Sequence, residues 1–348
     1  MLRFEALSPV WNGVLFAVAA VIVWKTGVRL TRIAKAISDQ LGGKQAIVGM
    51  VLLGGVVSLP EMATSVAASL IGNAPLAINT LLGGTAVTMA ILAVVDAVVG
   101  HEPLSVDVAH PIVLLQGSLV ILLLSIAAAG MIAGDVPLPN TGIGAWTSAI
   151  LLLYLSFVTF AKRYERDTPW VPTRVPETQR TDGEHAPPSA CAPMTRLILR
   201  AAAVGAVTVI AGYVLAGTGD ALSTQTGLGG GLVGLILGGI ATSLPELSTM
   251  LEAVRQSQYE MAFADAFGTN LLSTALLFFA DAAYSDQPLL NEAGRFSIFA
   301  VLLGIAVTTV YLAGLIVRRN RAIFGMGIDS AAVLILYVGG LIVLFHLR

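Results

Sequence analysis

The sequence predicts an all-α integral membrane fold, with ten transmembrane helices in two inverted-topology five-helix repeats. Three observations predict it. The 348 residues are 56% hydrophobic and only 11% charged, against about 25% charged in a soluble domain. Ser58-Leu59-Pro60-Glu61 recurs as Ser243-Leu244-Pro245-Glu246, each copy inside a long apolar segment. Lys and Arg gather at one set of segment ends and are scarce at the other.

A bilayer-spanning helix needs about 20 apolar residues. Ten segments meet that length: 9–32, 44–71, 76–99, 110–133, 142–163, 196–217, 228–254, 260–284, 296–317 and 327–346. The first continues as an amphipathic stretch to Leu41. No short apolar core with a cleavage site precedes Trp11, so this segment reads as a retained helix. Between the fifth and sixth segments, 164–195 holds Pro169, Pro172, Pro176, Pro187, Pro188 and Pro193 among charged and small polar residues. That composition is a linker's. The chain divides into a first half, 1–163, the linker, and a second half, 196–348. The single Cys191 excludes a disulfide framework. A net charge of −2 without a basic stripe gives no nucleic-acid partner.

With the N-terminus outside, the inner loops and helix ends hold Arg29, Arg32, Lys35, Lys44, Lys162, Arg163, Arg166, Arg174, Arg180, Arg196, Arg200, Arg255, Arg318, Arg319 and Arg321. The outer side keeps Arg3, Arg295 and Arg348. This positive-inside bias puts both termini outside the cytoplasm and the linker within it, in a multi-pass plasma-membrane protein.

The repeat extends beyond four residues. An offset of 185 (246 − 61) also pairs Gly49 with Gly234, Gly54 with Gly239, Thr64 with Thr249, Gly83 with Gly268, Asp96 with Asp281 and Pro103 with Pro288, without a gap. The copies cover about 44–104 and about 229–289. The second begins five crossings after the first. Five is odd, so the copies run in opposite directions through the membrane. Inverted repeats are typical of secondary transporters, whose ligand site lies at the repeat interface near the midplane.

The chemistry follows from the repeated residues. Pro60 and Pro245 lack an amide hydrogen and weaken the helix upstream, freeing the carbonyls of Val56 and Ala241. Glu61 and Glu246 follow directly. An intramembrane acid is costly and is a functional-site hypothesis by default. Ser58 and Ser243 lie three residues before the glutamates, and Thr242 four before Glu246, on the same helix face. Carboxylates, hydroxyls and carbonyls are hard oxygen ligands suited to Ca²⁺ or Na⁺. Counting equal depth along the second hairpin reaches Thr269, with Asn270 beside it, Ser273 a turn further and Asp265 a turn nearer the cytoplasm. The first-half equivalents are Gly84, Thr85 and Thr88. Asp96 and Asp281 fall near helix ends, where a structural or entry role is favoured over a site role. Lys25 is expected to snorkel to an interface.

Ala241-Thr242-Ser243-Leu244-Pro245-Glu246, followed by Gly268-Thr269-Asn270, resembles the α-repeat of the calcium/cation antiporter superfamily, best known from sodium/calcium exchangers. Ser58-Leu59-Pro60-Glu61 resembles the first repeat. The resemblance implies exchange of Ca²⁺ or another cation for Na⁺ or H⁺ by alternating access, with both repeat glutamates as ligands. It implies no enzyme activity and no cofactor beyond the transported ions. A monomer suffices for transport.

The chain departs from the family pattern at Val57, at Gly83-Gly84-Thr85, and at Thr88 and Ser273, where Asn or Asp is usual. The driving ion therefore stays open between Na⁺, H⁺ and K⁺. A channel is the competing class, and an internal inverted repeat argues against it. The second copy carries more side-chain oxygens, so the sequence expects the ion cluster to lean toward it, with Thr242 mattering more than Ser58.

Overall fold

A computed structural model describes residues 4–40, 58–99, 104–106, 108, 111–139, 141–164, 193–255, 258–284, 287–318, 322–323 and 325–347. Residues 41–57, with Lys44, Gly49, Gly54, Val56 and Val57, lie outside them. So do the linker interior 165–192, with Cys191, and Pro103.

The helices are α1 (Pro9–Gln40), α2 (Leu59–Leu70), α3 (Ala74–Val99), α4 (Pro111–Ala133), α5 (Ala145–Tyr164) and α6 (Met194–Thr226), then α7 (Gly229–Thr242), α8 (Leu244–Arg255), α9 (Tyr259–Ala283), α10 (Arg295–Val317) and α11 (Ile328–Leu347). A two-residue hairpin, Ala322–Ile323 with Met326–Gly327, leads into α11.

Among the described residues seven helices are long and apolar enough to cross a membrane, and α7 with α8 makes an eighth span bent by 46°. The apolar part of α5, Ala145–Ala161, is shorter. Of the predicted segment 44–71, only its end is described, as α2. Helix α1 continues to Gln40, as its amphipathic extension predicts. Helix α6 runs to Thr226, past the predicted end at 217, and stops at Gly227, whose φ of 68° suits a residue without a Cβ.

The packing brings the halves together rather than keeping them apart. Helices α1 and α6 lie along each other, as do α4 and α10. Helix α2 packs on α6, α9 on α4 and α5, and α3 on α10 and α11. At the centre Leu81, Leu82, Met89, Phe263, Phe267 and Tyr311 are buried, and Phe263 meets the Tyr311 ring edge-on at 5.3 Å. Large apolar side chains such as Ile198, Leu199 and Ile210 on α6 and Ile335 and Ile342 on α11 are exposed. Such an apolar rim is what a helix offers to lipid.

Two helices widen into π-turns, α3 at Asn79–Gly83 and α7 at Val233–Gly238. In α7 the widening ends at Gly238-Gly239, one turn before the bend. π-turns inside α-helices frequently mark functional positions.

Candidate cation site

Both glutamates sit in the first turn of a helix. Helix α8 starts at Leu244, and Pro245 occupies a position where a missing N–H leaves nothing unpaired. The bend falls at Ser243, whose N–H donates to the Gly239 carbonyl at 3.0 Å and whose carbonyl accepts from Leu247 at 3.1 Å. Helix α2 repeats the arrangement: Leu59 starts it, Pro60 follows, and Met62 N–H donates to the Ser58 carbonyl at 3.0 Å. Each carboxylate therefore meets the positive end of a helix dipole within an apolar bundle. Glu61 is 1% exposed and Glu246 0%.

Their partners differ. Glu61 accepts a hydrogen bond from the Ser273 hydroxyl on α9. Both carboxylate oxygens of Glu246 are buried without a hydrogen-bond partner. The hydroxyls of Ser58 and Ser243 are also buried and without a partner. A buried, unpaired acid costs a great deal unless a cation or proton compensates it.

Among the other sequence-derived candidates, Thr242, Thr88 and Asn270 donate to backbone carbonyls. Thr242 donates to the carbonyls of Gly238 and Gly239, at 2.9 and 3.3 Å. Thr88 donates to the Gly84 carbonyl at 3.1 Å. Asn270 donates to the Thr85 carbonyl at 3.3 Å. Thr269 is buried on the same helix. Asp265 accepts from Thr249 at 2.6 Å, and the same hydroxyl reaches the Glu246 carbonyl at 2.9 Å.

Helix α9 thus serves both copies. Depth counting puts Thr269 level with Glu246, with Asn270 beside it and Ser273 a turn further. The structure brings Ser273 to Glu61 and Asn270 to Thr85, both in the first half. Spacing within a hairpin cannot reveal this, because it depends on how the two halves face each other. Thr249 also escaped the sequence reading, although it pairs with Thr64 in the repeat. Asp96 and Asp281 lie away from the site and take backbone hydrogen bonds near helix ends. Lys25 is exposed on α1.

Among the described residues no three of His, Cys, Asp or Glu are grouped as a metal cluster. Two carboxylates and two unpartnered hydroxyls offer oxygen alone. Such a set suits a hard cation.

A profile of the sodium/calcium exchanger protein family matches residues 11–162 and 197–345. This chain belongs to that family. The match takes in both halves and omits the linker. The family is one of transporters, and this member is a multi-pass membrane protein. It is 27% identical over 266 residues to inner membrane protein YrbG of Escherichia coli (strain K12), covering 76% of this chain and 77% of YrbG. Its fold is similar to that of native YfkE, with a TM-score of 0.64 at 17% identity, over 96% of this chain and 92% of that one. It is also similar to the sodium-calcium exchanger NCX_Mj, with a TM-score of 0.60 at 13% identity, over 94% and 96% of the two chains. The H⁺/Ca²⁺ exchanger CAX gives a TM-score of 0.60 at 14% identity, over 99% and 86%.

Proposed function

We propose that this protein is a secondary active cation antiporter that exchanges Ca²⁺ for Na⁺ by alternating access. Ten transmembrane helices in two inverted repeats would carry it, with both termini outside and the linker in the cytoplasm. One observation carries the reading. Two repeat-related glutamates are buried at helix starts, and Glu246 has neither oxygen hydrogen-bonded. Two carboxylates balance one divalent ion, and in a low-dielectric bundle that compensation is worth far more than in water.

The ligands we assign are Glu61 and Glu246, with Ser58 and Ser243, whose lone pairs and protons are uncommitted. Thr242, Thr269, Asn270, Ser273 and Thr88 complete the wall, and Asp265 stands on the cytoplasmic approach. As an ion arrives, Ser273 can keep its proton on Glu61 while its own oxygen turns to the cation.

A second reading is supported by one feature of the site. Thr88 and Ser273 supply hydroxyls at positions where an acid or amide would favour Na⁺, which leaves protons or K⁺ as the counter-ion. Family membership and the folds of both Na⁺- and H⁺-linked exchangers are compatible with either. Radiolabelled Ca²⁺ uptake into proteoliposomes under imposed Na⁺, K⁺ or pH gradients separates them. Uptake that follows only the Na⁺ gradient supports the first reading, and uptake that follows only pH supports the second. Uptake indifferent to every counter-gradient would point to a channel and overturn antiport.

Orientation has its own test. Single cysteines at positions 180 and 325, in a Cys191→Ala background, are expected to resist an impermeant thiol reagent in intact cells. Labelling from outside would reverse the topology.

A further inference from the structure

Two carboxylates that the ion site does not use make matching contacts at opposite ends of the bundle. Asp281, near the end of α9, accepts from the Leu289 N–H at 2.6 Å within its own half. Its other oxygen accepts from the Gly144 N–H at 2.7 Å and from the Thr147 hydroxyl, at the start of α5 in the other half. Asp96, near the end of α3, accepts from the Leu104 N–H at 3.3 Å in its own half. Its other oxygen accepts from the Gly327 N–H at 2.8 Å, at the start of α11 in the other half.

The correspondence follows the internal repeat: 281 − 96 and 289 − 104 both equal 185. The cross-half glycines follow it within two residues, since 327 − 144 equals 183. Leu104 precedes α4 and Gly144 follows it, so the 23 residues of α4 separate the two latches. That is about 35 Å at 1.5 Å per residue. Both acids are buried.

We infer that Asp96 and Asp281 are positioning residues that fix the ligand-bearing helices α3 and α9 against the opposite half. Each latch holds the end of a helix whose preceding turns carry site groups: Thr85 and Thr88 on α3, Asn270 and Ser273 on α9. Ser273 is eight residues from Asp281 (281 − 273), about 12 Å along the helix. A helix pinned at that distance keeps the Ser273 hydroxyl on Glu61 across the repeat boundary. The inference rests on the cation-antiport reading for its functional consequence, and on the hydrogen bonds alone for its mechanical one.

Asp281→Asn is the informative variant. It keeps side-chain size but turns an amide N–H toward a donor, so at least one latch bond is lost. We expect the half-saturating Ca²⁺ of folded, reconstituted protein to rise on the order of tenfold, the factor that a lost buried hydrogen bond to a charged group carries. We expect the maximal rate per folded molecule to change less. The effect of Asp281→Asn should be non-additive with Ser273→Ala, whereas Asp96→Asn and Ser273→Ala should add. Amide hydrogen exchange should quicken at 270–273 as well as at 144–147. Should Asp281→Asn fail to fold, Thr147→Val removes the hydroxyl donor to Asp281 and carries the same comparison.

A merely structural latch would lower only the folded fraction. An unchanged half-saturation, additivity with Ser273→Ala, or unchanged exchange at 270–273 would each overturn the proposal. If the wild-type protein transports no Ca²⁺ under any gradient, the antiport reading fails, and hydrogen exchange alone then decides the latch.

Discussion

The side-chain amide of Asn270 donates to the backbone carbonyl of Thr85 at 3.3 Å, across a sequence separation of 185. That separation is the repeat offset, so one residue touches its own counterpart. Two equivalent positions can meet only beside the axis that relates them, which is where an inverted-repeat transporter is expected to hold its ion. The symmetry is broken one turn further on. Ser273 donates to Glu61, while its counterpart Thr88 donates to the Gly84 carbonyl within its own helix.

Both glutamates are expected to be indispensable. Glu61→Gln and Glu246→Gln each remove a charge from a dry site, and exchange should fall by about a hundredfold or more. Radiolabelled Ca²⁺ uptake, with membrane insertion checked in parallel, measures it. Near-normal uptake in either variant would remove that residue from the site.

The broken symmetry separates Ser273 from Thr88. Ser273→Ala leaves Glu61 without its donor and should weaken apparent Ca²⁺ affinity by about tenfold. Thr88→Val deletes a hydroxyl already tied to its own helix and should shift affinity by less than about threefold. Equal effects would mean that Thr88 leaves the Gly84 carbonyl to bind the ion.

The two Leu-Pro-Glu turns make a similar pair. The sequence ranks Thr242 above Ser58, because Val57 offers no hydroxyl. The hydrogen bonds argue for the opposite order. Thr242 gives its proton to Gly238 and Gly239, whereas the Ser58 hydroxyl is buried with no partner. Ser58→Ala is therefore expected to weaken cation affinity at least as much as Thr242→Val. A silent Ser58→Ala beside a severe Thr242→Val would restore the sequence ranking.

Two glycines, also 185 residues apart (212 − 27), let α1 and α6 approach the glutamate helices. A Cβ on Gly27 would lie 2.4 Å from Pro245 Cγ, and one on Gly212 would lie 2.8 Å from Ala63 Cβ. Gly27→Val or Gly212→Val overpacks the contact and should cost about 1–3 kcal/mol. Thermal unfolding in detergent should show the loss, and transport should fall with it because the strain lands beside Glu246 or Glu61. Unchanged melting would mean that the helices separate freely.

Outside the spans, Asp135 caps the start of α5 by accepting from the Trp146 N–H at 3.0 Å. Burial raises its pKa above the ordinary 3.8, and the nearby Asp281 carboxylate adds to the rise. The folded protein therefore keeps this proton to higher pH than the unfolded chain does. Its contribution to stability is fully present below the unfolded value of 3.8 and is lost as pH rises through the raised folded pKa. Relative to Asp135→Asn, wild-type melting temperature should fall as pH is raised from about 4 to about 8. A pH-independent difference would mean that Asp135 keeps the same proton affinity on unfolding.

The sequence by itself determined the membrane class, the paired Leu-Pro-Glu turns and the acids they carry. Those features depend on residue type and local spacing. Apolar length decides what lipid accepts, and a proline decides where a helix breaks. It also marked Asp96 and Asp281 for a structural or entry role rather than a site role, because helical rise from Asp265 carries Asp281 toward a membrane surface.

Tertiary structure decided which half each side chain serves. Ser273 and Asn270 belong to the second copy by sequence, yet they complete the first, and Asp281 anchors α5 across the repeat boundary. It also decided that Glu61 has a donor while Glu246 has none. The physical reason is that the two halves fold into one another, so an acid's neighbours can lie far off in the sequence, 212 positions for Ser273 on Glu61 and 137 for Gly144 on Asp281. Periodicity within a helix carries no information about them.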